Sequence, residues 1–375
     1  MSKHLFFCDT PFQIMMAVAF KMTEFKDECV DIIVSDLIYN SNDLYENINK
    51  SNFFNRTYYI NNYDYDYEKC NKIKWLYKKF HRIKDINALL PDLDTYDYFY
   101  TTDTLTTINS TYEILKTKNK NLQVIYYEEG PIAVLCDQGN HFKSKNKYFG
   151  LKDKIINAML GIKYIDGNFS AAYSSVSNKM PSNYFKWKQL PVINQDQLLE
   201  YTKVLNQFWD YKKESNLKGK IIFLEESFYV DGRGNRDFEI INDIMKFSHG
   251  REILVKLHPR TRDNRFSKLG LSVYENTSVP WELLALNGDL DDTILICVAS
   301  GAILYPKLYW GIDQKSIALL NCEDYRFPYL DNNYYNTFSN VCTENQLAYM
   351  PKNRNEFIQI IGELCDESKG STEFN

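Results

Sequence analysis

The chain has 375 residues, of which 44% are hydrophobic and 25% are charged. This length favours two domains over one hydrophobic core, and the composition excludes wholesale disorder. The net charge of -5 argues against a nucleic-acid-binding protein, which would carry a basic surface. No stretch approaches the ~18 apolar residues that cross a bilayer and no secretion signal is recognisable, so we expect a cytoplasmic protein.

The eight cysteines are scattered singly in apolar surroundings, which is typical of reduced core residues in a cytosolic protein. None forms a C-x-x-C pair, and none has histidines at zinc-finger spacing. We therefore expect no structural zinc site and no bound cofactor. The cysteines are Cys8, Cys29, Cys70, Cys136, Cys297, Cys322, Cys342 and Cys365.

The first domain is predicted to begin with a strand, a turn and a helix. His4–Cys8 is typical of a buried strand, and Thr10 and Pro11 suit the N-cap and first position of a helix over Phe12–Met22. Three more strands follow, and the segments between them are long enough for crossover helices, so a mostly parallel sheet is favoured. These strands are Val30–Val34, Tyr96–Tyr100 and Leu122–Tyr127.

A second alternation of strands and helices begins near Lys218. Its predicted elements are Lys220–Leu224, Asp237–Phe247 (helix), Glu252–Leu257, Trp281–Leu286 (helix), Thr293–Val298 and Ser316–Leu320. The two halves predict an α/β protein of GT-B-like architecture, in which two Rossmann-like domains face a central cleft. The predicted boundaries are 1–190 for the N-terminal domain, 191–217 for the linker, 218–365 for the C-terminal domain and 366–375 for a frayed polar tail.

Three short motifs follow predicted strands at their carboxyl ends, where open α/β sheets bind ligands. The first is Glu128-Glu129-Gly130. Two adjacent carboxylates can raise the pKa of one of them toward neutrality, and a carboxylate can then take a proton from a hydroxyl group. A solvated turn at the end of a strand is the alternative interpretation.

The second motif is Lys256-Leu257-His258-Pro259-Arg260, in which Pro259 ends the strand. His258 can donate a hydrogen bond or a proton to a phosphate, while Arg260 or Lys256 supplies further positive charge. A structural histidine whose partners lie within the fold is the alternative.

The third motif is Ser300-Gly301-Ala302, which is predicted to begin a helix. Free N–H groups at a helix N-terminus bind anions, although a plain strand-to-helix turn is the alternative. Between the second and third motifs, Glu282 stands at another predicted helix start. It suits the ribose hydroxyls of a nucleotide, or simply the helix dipole.

In this order, the three motifs resemble those of the bacterial sialyltransferases of lipooligosaccharides and capsules, a group that includes the polysialyltransferases. That group has a D/E-D/E-G motif, then an H-P motif, then a serine-containing motif near the C-terminus. The segment Phe7–Gln13 is also similar to the opening of the lipooligosaccharide family, which directs attention to Asp9, Thr10 and Gln13.

The resemblance implies an inverting, metal-independent enzyme that moves sialic acid from CMP-sialic acid to a galactose-type hydroxyl of a bacterial surface glycan. The N-terminal domain would lie on the acceptor side, and the C-terminal domain would hold the donor. His258 would contact the CMP phosphate as general acid or electrostatic stabiliser, and Glu129, with Glu128 beside it, would be the base. Ser300 would hold the same phosphate and Glu282 the ribose. The implied donor-binding residues are His258, Pro259, Arg260, Glu282, Ser300, Gly301 and Ala302.

Some members of the lipooligosaccharide family use a carboxylate shortly before the H-P motif as the base. In this chain Glu225, Glu226 and Asp231 are the candidates, so the identity of the base stays open. Because CMP is a good leaving group, the chemistry needs one base, a proton donor or dipole on the phosphate side, and exclusion of water.

Two D-x-D pairs, Asp64-Tyr65-Asp66 and Asp92-Leu93-Asp94, would matter in a metal-dependent enzyme, but their Tyr- and Asp-rich surroundings indicate solvated loops. Lys69–Lys84 predicts a basic amphipathic helix. It would either touch anionic lipid near a lipid-linked acceptor or pack on the N-terminal sheet with its basic face in water. A homodimer is conceivable by family analogy.

Other interpretations stay open. The donor could be a hexose nucleotide or CDP-glycerol. Teichoic-acid glycerophosphotransferases share a late H-P motif, but an Asp-Tyr-Ser-Ser element follows it, where this chain has Val298-Ala299-Ser300-Gly301. A non-catalytic glycan- or nucleotide-binding protein is the further alternative.

Overall fold

The computed structural model describes residues 1–62, 72–91, 93–102, 106–128, 165, 169–177, 187–212, 216–232, 236–274, 276–325 and 332–372. The chain divides into two compact units, Met1–Asp210 and Tyr211–Asn375. The division falls inside the segment 191–217 that was predicted to be the linker. In both units strands alternate with helices, so the predicted α/β class is confirmed.

The first unit is built on a seven-stranded parallel sheet. Its strands are β1 (Lys3–Cys8), β2 (Cys29–Ser35), β3 (Thr57–Ile60), β4 (Tyr98–Thr101), β5 (Gln123–Tyr127), β6 (Phe169–Ser174) and β7 (Trp187–Gln189). Its helices are α1 (Pro11–Thr23), α2 (Ser41–Ser51), α3 (Lys72–Leu89), α4 (Thr106–Lys118) and α5 (Gln195–Phe208). The strand order is β3-β2-β1-β4-β5-β6-β7, so the chain reverses its direction of travel across the sheet between β1 and β4.

A cluster of aromatic rings packs α1 against this sheet. Phe20 of α1 is fully buried, and its ring centroid lies 5.3 Å from that of Phe6 on β1. Tyr173 of β6 meets the same ring edge-on at 4.9 Å, and Phe25 stacks on it at 5.5 Å. Because these rings come from separate elements, their burial fixes α1, and with it the loop between β1 and α1.

Most of the predicted linker is helix α5, which packs on the first unit. Asn194 caps the helix by accepting the N–H of Gln197 at 2.9 Å. Tyr201 is fully buried, and its hydroxyl donates to the carbonyl of Met15 on α1 at 3.1 Å. The polar residues that suggested a linker therefore form the capped start of a helix whose apolar side is buried.

The second unit holds a five-stranded parallel sheet. Its strands are β8 (Ile221–Leu224), β9 (Ile253–Lys256), β10 (Ser272–Tyr274), β11 (Ile294–Cys297) and β12 (Lys315–Ala318). Its helices are α6 (Asp237–Phe247), α7 (Trp281–Asn287), α8 (Tyr305–Trp310), α9 (Asn332–Glu344) and α10 (Arg354–Thr372). The strand order is β10-β9-β8-β11-β12, so the reversal falls between β8 and β11.

The C-terminal residues predicted to fray continue helix α10 to Thr372. A hydrogen bond and an ion pair hold this stretch: His249 Nδ1 lies 2.7 Å from Asp366 Oδ1, and Lys315 Nζ lies 3.4 Å from Glu367 Oε2. These contacts stabilise the helix beyond the predicted boundary. Their partners lie more than fifty residues away in sequence, so the local composition does not reveal them.

Helix α3 covers most of the predicted basic helix Lys69–Lys84. Residues 69–71 and several side chains of α3 lie outside the described part of the structure, so the membrane contact stays a prediction. Within the described ranges, no helix combines the length and the apolar character that a membrane span requires. The cysteines in those ranges are all free thiols.

We expect Phe20→Ala to lower the free energy of unfolding by about 3–5 kcal/mol, because it leaves a cavity among buried rings from α1, β1 and β6. Urea denaturation followed by circular dichroism measures the change. Leu199→Ala on α5 is the control, since that side chain is 68% exposed and its loss should change stability by less than about 0.5 kcal/mol. Equal effects of the two substitutions would contradict the packing described.

Candidate functional site

Three loops meet at the carboxyl edge of the second sheet. The strand order reverses between β8 and β11, and a reversal in a parallel sheet leaves a crevice in which ligands bind. Glu225 and Glu226 follow β8, His258 follows β9, and Ser300 follows β11. The second and third sequence motifs therefore lie at the same edge of one sheet.

His258 is fixed by hydrogen bonds on both its backbone and its ring. Its N–H donates to Glu225 Oε2 at 3.0 Å, and its ring Nδ1 accepts the N–H of Arg260 at 3.2 Å. Since a backbone N–H can only donate, Nδ1 is the acceptor, and the neutral imidazole carries its proton on Nε2. His258 is therefore built as a hydrogen-bond donor through Nε2.

Burial, together with the charges of Arg260 and Lys256, lowers the pKa of His258 to about 4, against an opposing effect of Asp231. The ring is therefore neutral at pH 7 in the unliganded protein. A phosphate beside Nε2 would favour the imidazolium form and raise this pKa again, because opposite charges stabilise each other. The site thus holds a ring that gains basicity when an anion arrives.

Arg265, which the sequence interpretation missed, joins two buried carboxylates beneath His258. Its Nη2 donates to Glu225 Oε1 at 2.6 Å and also to Asp237, and its Nε donates to Glu225 Oε1 at 3.0 Å. Burial raises the pKa of Asp237 to about 6, even though the charge of Arg265 lowers it. Both oxygens of Glu225 are bonded, one to Arg265 and one to the backbone of His258, so its geometry is that of a positioning residue.

Glu226 joins the segment after β8 to the segment after β11, the two strands between which the order reverses. Its Oε1 accepts the N–H of Ala299. Burial raises the pKa of Glu226 to about 7, and the nearby charge of Asp237 contributes. A carboxyl group with this pKa exchanges a proton near neutral pH, as a general base or acid requires. Among the three alternative bases, Glu226 has the most suitable electrostatics.

Asp231, the third alternative base, is paired. The guanidinium of Arg260 donates to its two oxygens at 2.9 and 3.3 Å, and the hydroxyl of Ser227 donates to it at 2.9 Å. This ion pair ties the loop after β8 to the loop after β9. The Arg260 side chain is half exposed, so its charge also faces the solvent at the mouth of the site.

Ser300 begins a tighter turn than the predicted helix. A three-residue 3-10 helix, Gly301–Ile303, follows it, and then the short helix α8. The Ser300 hydroxyl accepts the N–H of Ala302 at 3.2 Å, which leaves its own proton for donation to a ligand. A Cβ atom at Gly301 would lie 3.0 Å from the hydroxyl oxygen of Tyr305, so any larger residue would have to displace that ring.

Lys256, at the end of β9, and Glu282 influence each other electrostatically. Lys256 is 5% exposed, and its ammonium lies 5.5 Å from the ring centroid of Tyr274. Burial lowers the pKa of Lys256 to about 8, and burial likewise raises the pKa of Glu282, each offset in part by the other's charge. Glu282 stands in the first turn of α7, as predicted.

In the first unit, the predicted residues of the N-terminal loop meet at the reversal between β1 and β4. The Gln13 side chain accepts the N–H of Asp9 and of Thr10, and donates to the hydroxyl of Thr102 after β4. Asn62, which was not predicted, donates to Asp9 Oδ1 at 3.1 Å. No local motif marks Asn62, because its partners come from distant parts of the chain.

Glu128 is fully buried and ties β5 to β6. Its Oε2 accepts the hydroxyl of Ser174 at 2.5 Å, and its Oε1 accepts the N–H of Ser175 at 2.8 Å. Glu129 and Gly130, the rest of the first motif, lie outside the described residues. The assignment of Glu129 as base therefore stays a prediction.

Asp64 to Asp66 and Asp92 also lie outside the described residues. Asp94, the remaining member of the two D-x-D pairs, pairs with Lys3 Nζ at 2.7 Å. Within the described part of the chain, no group of three or more His, Cys, Asp or Glu side chains could hold a metal ion.

No protein-family model matches the chain, and no curated protein is similar to it in sequence. Three solved structures resemble it in fold at low sequence identity. A UDP complex of MnaA from S. aureus is 11% identical with a TM-score of 0.51, covering 98% of this chain and 89% of that one. An α/β-galactoside α-2,3-sialyltransferase from Photobacterium phosphoreum is 11% identical with a TM-score of 0.50, covering 93% and 98%. A UDP complex of TcCGT1 is 8% identical with a TM-score of 0.50, covering 99% and 92%. These likenesses establish the class of fold, and the predicted GT-B-like α/β architecture is confirmed.

The raised pKa of Glu226 predicts a pH-dependent stability. The folded protein holds this proton more tightly than the unfolded chain, so the resulting stabilisation is complete below about pH 4.5 and is lost as the pH rises through about 7. Glu226→Gln keeps the acceptor for Ala299 but cannot ionise. We expect it to match the wild type at pH 4.5 and to exceed it by about 3 kcal/mol at pH 8.

Urea denaturation at both pH values measures this difference. Glu239→Gln, an exposed position on α6, is the control and should follow the wild type at both. A constant offset between Glu226→Gln and the wild type at the two pH values would show that Glu226 does not titrate in this range.

Proposed function

We propose that the chain is a nucleotide-sugar-dependent glycosyltransferase that transfers sialic acid from CMP-sialic acid to a galactose-type hydroxyl, with inversion and without a metal ion. One observation carries the proposal: His258 presents a fixed Nε2–H at the carboxyl edge of the second sheet. The turn at Ser300, which follows strand β11, lies at the same edge. The motif order supports it, and so does the likeness in fold to an α-2,3-sialyltransferase.

On the donor side, the CMP phosphate would lie between His258 Nε2 and the turn at Ser300. As the bond from the anomeric carbon to the phosphate oxygen breaks, the electron pair passes to the phosphate. Nε2–H and the Ser300 hydroxyl then stabilise the growing charge in a partly buried site. Glu282 is assigned to the ribose hydroxyls and Arg260 to electrostatic attraction of the phosphate.

On the acceptor side, a carboxylate takes the proton of the attacking hydroxyl as its oxygen bonds to the anomeric carbon from the opposite face. Glu129 is the base that the family resemblance favours. Glu226 is the alternative that electrostatics favours, because its pKa of about 7 suits proton exchange at neutral pH.

A different donor is the second candidate. MnaA and TcCGT1 were both solved with UDP bound, and both share this class of fold. The diphosphate of a UDP-sugar would also present phosphate oxygens to His258 and Ser300, so a UDP-sugar is the second donor to test.

The first test is release of CMP from CMP-Neu5Ac by the purified protein in the presence of EDTA, with and without lactose. We expect lactose to stimulate CMP release, since the acceptor hydroxyl completes the transfer. No release, together with no thermal stabilisation by CMP, would overturn the cytidine donor. Turnover with a UDP- or GDP-sugar would then identify the alternative.

In the same assay, His258→Ala should cut transfer by several orders of magnitude, because the phosphate loses its principal donor. His249→Ala is the matched control, since that histidine pairs with Asp366 on the surface of the same unit. We expect the control to retain wild-type turnover. Near-normal turnover of a folded His258→Ala variant would contradict the mechanism.

A further inference from the structure

The loop that follows β8, residues 225–232, carries two neighbouring exposed apolar side chains. Tyr229 is 44% exposed and Val230 is 41% exposed. The other large apolar side chains that are exposed in the described part of the second unit, Met245 and Tyr349, stand singly. Single exposed apolar residues are ordinary on a protein surface, whereas an adjacent pair beside a ligand site suits a contact with the ligand.

Backbone hydrogen bonds fold this loop into two tight turns. The N–H of Asp231 donates to the carbonyl of Ser227 at 2.9 Å, and the N–H of Gly232 donates to the carbonyl of Tyr229 at 3.1 Å. Gly232 has a φ of 65°, a left-handed conformation that glycine adopts without strain. Tyr229 and Val230 lie within the first of these turns, so their positions are defined before any ligand binds.

Arg265 supports the ring of Tyr229 from one side. Its Cζ atom lies over the ring, 4.1 Å from the centroid, a distance typical of a cation–π contact. Arg265 is itself held by its bonds to Glu225 and Asp237. Because one face of the ring lies on Arg265, the exposed surface of Tyr229 belongs mainly to the opposite face and the hydroxyl edge.

Two sets of contacts tie Tyr229 to the segment that carries His258. Arg265 bonds to Glu225, and Glu225 accepts the backbone N–H of His258 at 3.0 Å. The ion pair at the end of the loop, described above, reaches the same segment from the other side. The exposed face of the tyrosine therefore stands beside the proposed phosphate site.

The strand order indicates which part of a donor would meet this loop. The order is β10-β9-β8-β11-β12, so β8 lies between the strands that precede His258 and Ser300, the residues assigned to the phosphate. Glu282, assigned to the ribose, begins the helix after β10. The nucleoside would extend from the phosphate toward β10. The group on the other side of the phosphate would then extend away from β10, across the loop after β8.

We propose that Tyr229 and Val230 form the platform for the transferred sugar, whose ring packs on the exposed face of Tyr229. This inference rests on the proposed function, because the ligand is the donor of that reaction. A tyrosine ring offers a flat apolar face and a polar edge, which match the apolar face and the hydroxyl groups of a sugar. The competing interpretation is that Tyr229 only shields Arg265 from water.

The test is titration calorimetry of the full chain with CMP and with CMP-3-fluoro-Neu5Ac, a donor analogue whose fluorine suppresses transfer. Both ligands carry the nucleoside and the phosphate, so a change that affects only the analogue reports on the sugar. We expect Tyr229→Ala to weaken binding of the analogue about tenfold and to leave the affinity for CMP within about twofold of the wild type. Tyr229→Phe should bind both ligands as the wild type does, because it keeps the ring.

A second substitution and a control complete the series. Val230→Ser should weaken the analogue about threefold and spare CMP, since it removes apolar contact area. Tyr349→Ala is the matched control, because Tyr349 is 48% exposed in the same unit. It should bind both ligands as the wild type does.

Wild-type affinity for the analogue in a folded Tyr229→Ala protein would overturn the platform. So would an equal loss of affinity for both ligands, because that result would assign the ring to shielding Arg265. In either case binding of CMP by the wild type would leave the proposed donor intact.

Failure of the proposed donor gives a different result, in which the wild type binds neither CMP nor its analogue. The same comparison is then made with UDP and UDP-GlcNAc. A loss in Tyr229→Ala that is confined to the sugar nucleotide would support the platform with another donor. An equal loss, no loss, or binding of neither pair would overturn it.

Discussion

The buried guanidinium of Arg265 holds the carboxyl edge of the second sheet together. It pairs with both Glu225 and Asp237, two carboxylates that are themselves almost fully buried, and buried charges are tolerated only when they are paired. Through Glu225 its influence reaches the backbone N–H of His258. The orientation of the histidine therefore depends on a cation that need not touch any ligand.

Desolvation shifts the pKa values of basic and acidic groups at the carboxyl edge of the second sheet in opposite directions. It lowers the pKa of His258 and Lys256 and raises the pKa of Glu226, so all three groups are displaced toward their neutral forms. If a phosphate binds here, as proposed, its charge favours the protonated forms of His258 and Lys256.

The sequence predicts those parts of the fold that depend on residues close together in the chain. Thr10 and Pro11 mark the start of α1, the helix over Asp237–Phe247 is recovered with its bounds, and the eight predicted strands are recovered to within one or two residues. The short strands β3, β7 and β10 were missed, because three or four residues carry too little periodicity to stand out. The six-residue strand β6 was missed as well.

The same distinction separates the site residues. His258 and Ser300 were predicted because each follows an apolar strand in a short motif. Arg265 and Asn62 were not, because their roles arise from partners that the fold brings together from 27 to 53 residues away. Helix α5 was taken for a linker for a similar reason, since its burial against Met15 is a contact between distant parts of the chain.

The side chain of Asn62 connects several parts of the first unit by hydrogen bonds. Its amide nitrogen donates to Asp9 and Ser35, while its amide oxygen accepts from Thr107, so the side chain works in both directions at once. Aspartate has the same shape but no donor, and leucine has similar bulk but neither function. Neither aspartate nor leucine can therefore replace asparagine at this position. The loop after β1, the end of β2, the loop after β3 and the start of α4 all bond to this one amide group, so a displacement of any one of them affects the other three.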